Sequence, residues 1–325
     1  MAKIRVGVLR GGPSAEYEIS LLTGENVLKY LPPDKYQTHD ILLSRDGVWH
    51  FNGFPSSPEK IFRKLDLIFN ALHGEYGEDG KVQQFLETHS IPYTGSGVVA
   101  SALAMRKTLA REIFQKAGLK IPRGMALGKK DNLGEKALEV REAFFSPWVV
   151  KPADRGSSVG VSIAQNIPEL IGALSEAFVY SDKALAEEYV KGREATCGVL
   201  ENFRGKKYYA LPVVEIIPPA ERFFDYEVKY NGETKEICPA RFEKEISGKI
   251  QEMAVLAHQS LGLRHYSRSD FIVSSARGRS GVFILETNTL PGLTSESLFP
   301  KASEAIGLSF PKLLDHLATL ALGKT

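Results

Sequence analysis

Two cysteines in 325 residues, Cys197 and Cys238, are too few for a disulfide framework or a zinc site. Each reads as a small buried apolar side chain and not as a nucleophile. Long apolar runs are missing too: none approaches the roughly 20 residues a helix needs to cross a bilayer. No basic-then-apolar leader precedes the first strand-like run, Ile4–Leu9, so the expected location is the cytoplasm, with no membrane partner. Charge of one sign is scarce, 41 Lys and Arg against 39 Asp and Glu, which argues against a nucleic-acid partner held by a basic surface. The phosphate loop G-x-x-x-x-G-K-[ST] does not occur; Gly323-Lys324-Thr325 lacks its first glycine. A dinucleotide fingerprint is present only in form. Gly95-Ser96-Gly97-Val98-Val99-Ala100 has the glycine spacing, but no acid follows in Gln115–Pro122 to hold a ribose.

With 43% apolar and 25% charged residues, the chain can bury the core of an ordinary globular protein. Strand and helix alternate at first: strand Ile4–Leu9, helix Ala15–Tyr30, strands His39–Leu43 and Leu65–Asn70, helix Val82–His89 and strand Ile91–Tyr93. That order predicts an open, mainly parallel α/β sheet over residues 1–95. Over 96–190 a long helix, Val98–Ala117, precedes strands Pro147–Lys151 and Val159–Ile163 around a glycine-rich turn, then helix Ile167–Tyr180 and strand Ala184–Val190. This is the pattern of a small α+β unit. Residues 191–325 mix strands Tyr208–Ile217 and Val282–Asn288 with helices Glu243–Leu261 and Ser303–Leu322. No Pro- or Ser-rich linker separates the three parts, so clefts are expected between them.

The densest chemistry lies near the C-terminus. Tyr266–Val273 and Val282–Asn288 flank a Gly/Ser-rich stretch, which predicts a hairpin. If it is symmetric about Gly278, Asp270 faces Glu286 and Arg268 faces Asn288, all four on one sheet face. Two carboxylates directly opposed repel. A divalent cation resolves this, since carboxylate and amide oxygens suit Mg²⁺; the alternative is a solvated charged face. Lys151-Pro-Ala-Asp-Arg-Gly-Ser-Ser-Val-Gly160 offers a cation and backbone N–H groups to phosphate, or is a plain turn. His73-Gly-Glu-Tyr-Gly-Glu-Asp-Gly80 follows a buried-looking strand, where α/β sheets bind ligands, or simply starts the next helix. Glu16 in the first helical turn can be a dipole partner, and Lys107 a solvated lysine. Glu187–Val190 reads as a strand edge able to hydrogen-bond a purine. Pro218–Ala240, with Phe223, Phe224, Tyr226 and Tyr230, is long enough to suggest a lid.

Taken together these segments resemble the D-alanine–D-alanine ligases of the ATP-grasp fold. The resemblance rests on 73–80, Tyr93-Thr-Gly-Ser-Gly97, 150–160, Asp225-Tyr-Glu-Val-Lys-Tyr230 and Leu285-Glu-Thr-Asn-Thr-Leu-Pro-Gly-Leu-Thr-Ser-Glu-Ser-Leu298, and it spans essentially the whole chain. It implies three domains, 1–95, 96–190 and 191–325, with ATP between the last two. It also implies ligation of two D-alanines through an acyl phosphate, for peptidoglycan precursor synthesis. On this resemblance Lys107, Lys151, Ser157 and Lys229 meet the phosphates of ATP. Glu187, Glu188 and Val190 surround its base, Glu194 holds its ribose, and Phe223 also belongs to the ATP site. Asp270, Glu286 and Asn288 hold Mg²⁺ (or Mn²⁺), two ions in all. Glu16 takes the first ammonium, linked to Ser158 and Tyr230, with His73 nearby. Arg268 and the N–H of Gly292 face the oxyanion, and Ser297 with Leu298 grips the second carboxylate. Tyr230 implies an amine acceptor. Partners are the small-molecule substrates, and a homodimer is left open. Ser269, Thr287 and Arg264-His265-Tyr266 depart from the family's pattern and put local packing in question. A ligase of another amino-acid pair, a non-catalytic nucleotide binder and an oxidoreductase are the competing expectations.

Overall fold

The computed structural model describes residues 2–156, 160–218, 234–276, 278 and 280–323. The N-terminal sheet has the order β4-β3-β2-β1-β5. Its centre is β1 (Ile4–Gly11), parallel to β2 (Tyr36–Leu43) and β5 (Leu67–Asn70); β3 (Trp49–Phe51) and β4 (Phe54–Pro55) add an antiparallel edge. Strand alternation divides the core. Val6, Val8, Leu67 and Phe69 face one side, while Leu9 and Ile68 face the other with Trp49, Phe62 and Leu86. The first side is continuous with residues far along the chain, including Leu200, Tyr266, Phe299 and Leu314. The N-terminal and C-terminal parts therefore share one apolar core.

The central unit is an antiparallel sheet, β6-β9-β7-β8 (Gly124–Gly128, Lys183–Glu188, Trp148–Pro152, Ser162–Ala164). Helices α6 (Leu133–Ala143) and α7 (Ile167–Tyr180) cover one face, burying Trp148, Val150, Ala184 and Ala186. Lys151 and Glu187 alternate onto the other face. Asn166 caps α7, its side chain accepting from Glu169 N–H, and Pro168 sits in the first turn.

The third sheet is antiparallel, β13-β12-β10-β14-β15, where β10 is Arg193–Phe203, β12 Val214–Ile217 and β13 Lys235–Ile237; β11 (Lys206–Ala210) also pairs with β10. Strands β14 (Tyr266–Ser274) and β15 (Gly281–Asn288) form the expected hairpin, with Asp270 opposite Glu286 and Arg268 opposite Asn288. Beyond Asp270 the register shifts by one, Phe271 facing Ile284. This bulge frees Leu285 to join Val190, Ile272 and Phe283 in an apolar cluster directly beside Glu286. Helix α8 (Lys244–Ser260) covers the opposite face over Phe271, Val282 and Ile284.

Three expected elements are divided. The helix over Val98–Ala117 breaks at Arg106, which is extended (φ −85°, ψ 94°), into α4 (Val98–Met105) and α5 (Lys107–Lys116). The cause is tertiary: Lys107 N–H donates to Ala153 C=O at 2.8 Å. Ser303–Leu322 becomes α9 (Leu298–Glu304) and α10 (Phe310–Ala321), separated by left-handed Gly307 with Pro311 in the next first turn. Tyr208–Ile217 splits at Pro212 into β11 (Lys206–Ala210) and β12 (Val214–Ile217). Among the described residues no helix is long and apolar enough to cross a membrane.

Candidate active site

The three units enclose a cleft of about 1100 Å³. From the N-terminal unit come Glu16 and His73. Glu16 is the residue just ahead of α1 (Tyr17–Tyr30), one position earlier than the expected first turn, and its N–H donates to Ser14 Oγ at 3.1 Å. Ser14 Oγ in turn donates to His73 C=O at 2.7 Å, which joins the two loops. His73 is buried; its Nε2 is 2.8 Å from Thr23 Oγ1, and its Nδ1 is 3.9 Å from Glu78. Burial alone would lower its pKa, but Glu78 and Glu16 outweigh that and raise it. Gly74 is left-handed (φ 68°), and a Cβ there would stand 2.8 Å from Glu16 Oε2. Only glycine lets the loop approach that carboxylate so closely.

Lys151 enters from the central unit, and Lys107 from α5, whose Ala110 and Phe114 pack in the core of the C-terminal sheet. Lys107 opens α5 and reaches across to Glu286 Oε2 at 2.7 Å. Its burial would lower its pKa, but the Glu286, Glu187 and Asp270 carboxylates more than offset this and raise it. Lys151 lies 2.5 Å from Glu187 Oε2, and Glu187 also pairs with Arg111. All three are buried, at 7%, 2% and 8% exposure, so the trio is held out of water and compensated internally. The carboxylate of Glu188 is likewise engaged, accepting from Arg123 N–H and Nε, each at 3.0 Å. The segment 187–190 is not a sheet edge: β9 runs between β6 and β7, and only Tyr189 and Val190 extend past it. Both carboxylates are therefore engaged by protein cations, while Tyr189 and Val190 line the cleft.

The C-terminal sheet supplies the charged floor. Arg268 Nε and Nη2 donate to the two Asp270 oxygens, both at 3.1 Å, and Thr196 Oγ1 donates to Asp270 at 2.6 Å. Asn288 lines the same wall, and Glu194 on β10 faces the cleft next to Ile272. Among the described residues no group of three His, Cys, Asp or Glu could hold a metal. The expected set is instead two carboxylates and an amide. Their cross-strand register brings these hard oxygens to one partly buried face, which fits Mg²⁺ chemistry. The far wall is the loop after β15. Gly292 approaches Ser297 closely: a Cβ there would lie 2.7 Å from Ser297 Oγ. Ser297 precedes α9, which Leu298 opens; its Oγ accepts from Thr294 N–H at 3.0 Å.

Ser157, Ser158, Phe223, Lys229 and Tyr230, with most of the expected lid, lie outside the described residues. Two residues join the site that the sequence did not single out individually. Glu78 accepts from Gly74 N–H at 3.1 Å and from Leu290 N–H at 3.3 Å, so it ties the N-terminal loop to the far wall. Arg111 holds Glu187 and donates to Pro122 C=O at 2.6 Å. Glu78 stands inside the quoted 73–80 motif; Arg111 carries no local signal. The departures from pattern are also explained. Ser269 and Thr287 face each other across the hairpin and hydrogen-bond at 2.8 Å, both buried. Arg264 Nε donates to Gly95 C=O at 2.9 Å and its guanidinium lies 4.6 Å from the Tyr93 ring. Gly95–Gly97, the rejected dinucleotide fingerprint, is thus a joint between units. Both thiols have raised pKa values through burial, as inert cysteines do.

Two family models match the chain, the D-ala D-ala ligase N-terminus over residues 53–96 and the D-ala D-ala ligase C-terminus over 113–319. The D-alanine–D-alanine ligase of Syntrophobacter fumaroxidans is 42% identical over 98% of each chain. The ligase of Bacillus anthracis, solved with ATP, superposes with a TM-score of 0.81 at 32% identity, covering 99% of this chain and 98% of that one. The VanG D-Ala:D-Ser ligase of Enterococcus faecalis gives 0.84 at 30% identity, covering 98% and 100%. Near-complete coverage at this identity, on a cleft built from all three units, places the chain in the D-alanine–D-alanine ligase family.

Proposed function

We propose that the chain joins two molecules of D-alanine in the cytoplasm, through an acyl phosphate, as ATP becomes ADP and phosphate. The product serves peptidoglycan precursor synthesis. The observation that supports this most strongly is the convergence of Lys107, Lys151 and Arg268 with Asp270, Glu286 and Asn288 in one cleft, opposite Glu16.

A carboxylate is a poor electrophile, so it is first phosphorylated, and catalysis of that step is positioning plus charge neutralisation. Lys107 and Lys151 bind the phosphates, and the Glu187–Arg111 pair keeps Lys151 aimed into the cleft. Val190, Ile272, Phe283 and Leu285 offer the base an apolar floor, with Glu194 toward the ribose. Asp270, Glu286 and Asn288 would hold Mg²⁺ or Mn²⁺, whose charge offsets that of the phosphoryl oxygens. Glu16 receives the ammonium of the first amino acid. Arg268 and the Gly292 N–H stabilise the oxyanion formed when the second amine attacks, and Ser297 with Leu298 holds the second carboxylate. From the sequence, Ser157, Phe223 and Lys229 complete the ATP site, while Ser158 and Tyr230 link to Glu16.

The test is phosphate release and dipeptide formation with ATP and D-alanine, L-alanine or D-serine, with and without Mg²⁺. The likeness to the VanG ligase makes D-serine the acceptor to compare. Mg²⁺-dependent D-alanyl-D-alanine is expected; activity with L-alanine but not D-alanine would overturn the assignment.

A further inference from the structure

Two loops that carry the cleft meet through a contact away from its floor. Arg155, in the turn after β7, places Nη1 2.5 Å from Glu75 Oε1 in the loop after β5. The same guanidinium donates from Nε to Tyr180 C=O at 2.8 Å. Tyr180 ends α7, a helix with no basic residue in its last turn, so Arg155 supplies the cation that the exposed C-terminal carbonyls favour. The return of the turn is anchored to the same residue: a Cβ on Gly160 would stand 2.8 Å from the Tyr180 ring. Arg155 is thus fastened to the central unit by one nitrogen and reaches the N-terminal unit with another.

Glu75 is equally constrained. Its neighbours Gly74 (φ 68°) and Tyr76 (φ 70°) are both left-handed, so the side chain projects from a sharply curved, fixed tip. Such a conformation in a tyrosine persists only where the surroundings hold it. Next to Arg155, a Cβ on Gly156 would be 3.4 Å from Glu16 Oε2. The ion pair therefore sits beside Gly156, where the central turn comes close to the residue assigned to the first substrate's ammonium.

We infer that Glu75 and Arg155 form a latch between the N-terminal and central units. They are positioning residues, which hold Gly156 against Glu16 and keep water from the acyl phosphate. The inference rests on the ligase activity proposed above. Glu75 does not line the cleft, and Arg155 is held by Glu75 and the Tyr180 carbonyl, so the latch acts on the binding of the first amino acid and on coupling, and not on the chemical step. A loosened latch admits water, which attacks the acyl phosphate; the P–O bond stays intact, the acyl–O bond breaks, and D-alanine and phosphate leave without dipeptide.

The experiment is a double-mutant cycle with Glu75→Gln, Arg155→Met and both together, reading phosphate and dipeptide in the same reaction. Each single variant should raise KM for the first D-alanine about fivefold, the scale of a partly exposed ion pair, with kcat within about twofold. Phosphate released per dipeptide should rise above one. The double variant should be no worse than Arg155→Met alone, because the Glu75–Arg155 pair is already lost in that single variant. Thermal unfolding of each variant distinguishes a lost latch from a lost fold. Singles that match wild type in KM and in coupling, or effects that multiply in the double variant, overturn the latch. A wild-type protein that forms no dipeptide overturns instead the activity on which it rests.

Discussion

His265→Asn should remove a built-in sensitivity to acid. His265 is 8% exposed and left-handed (φ 66°), and its Nδ1 accepts from Gly95 N–H at 3.1 Å, so the ring nitrogen there must be unprotonated. Burial, then the nearby Arg264 cation, lowers its pKa from 6.5 to about 4. The unfolded chain binds a proton at 6.5 and the folded one does not. Stability from this group is therefore complete above pH 6.5 and is lost as pH falls toward 4. At about 1.4 kcal/mol per tenfold, the full loss is ~3 kcal/mol. Other groups titrate in that window, so the informative quantity is the difference between two proteins. Asparagine tolerates positive φ, and its Oδ1 can take the same N–H. Urea unfolding from pH 8 to 4.5 should find the variant within about 1 kcal/mol of wild type at pH 8. It should then gain on wild type by ~2–3 kcal/mol toward pH 4.5. Parallel curves across the range would refute the linkage.

Glu187→Gln leaves Lys151 and Arg111 buried without their shared carboxylate, so unfolding free energy should fall by ~3–5 kcal/mol, readable by urea denaturation. A loss below about 1 kcal/mol would mean the trio is not held out of water as described. Gly74→Ala forces a left-handed alanine whose Cβ meets Glu16 Oε2 at 2.8 Å. It should raise KM for the first amino acid about tenfold or more, while ATP binding, followed by calorimetry, stays near wild type.

Local pattern carried much of this fold because its governing distances are short in sequence. The hairpin register of Arg268, Asp270, Glu286 and Asn288 follows from a glycine-rich turn and alternating side chains, both visible in one stretch of chain. The bulge at Leu285 is not visible that way, since it responds to packing against Val190 from another unit. The helix break at Arg106 also lacks a local cause: no glycine or proline marks it, and the determining hydrogen bond comes from Ala153. Gly307 and Pro311, by contrast, do carry the signal that separates α9 from α10. In the site, Lys107 and Lys151 line the same cleft as Asp270, Glu286 and Asn288. The engagement of Glu187 by Arg111, 76 positions away, could come only from the folded chain. Ser269 and Thr287 look like two separate departures in the sequence and prove to be one hydrogen-bonded pair.

The acyl phosphate is the centre of the account, and oxygen transfer tests it most directly. D-alanine labelled with ¹⁸O in its carboxylate is ligated with unlabelled ATP, and the released phosphate is analysed by mass. Attack of the carboxylate on the γ-phosphorus, followed by expulsion by the second amine, predicts one labelled oxygen in phosphate for each dipeptide formed. Dipeptide accompanied by unlabelled phosphate, or by labelled AMP, would contradict the mechanism.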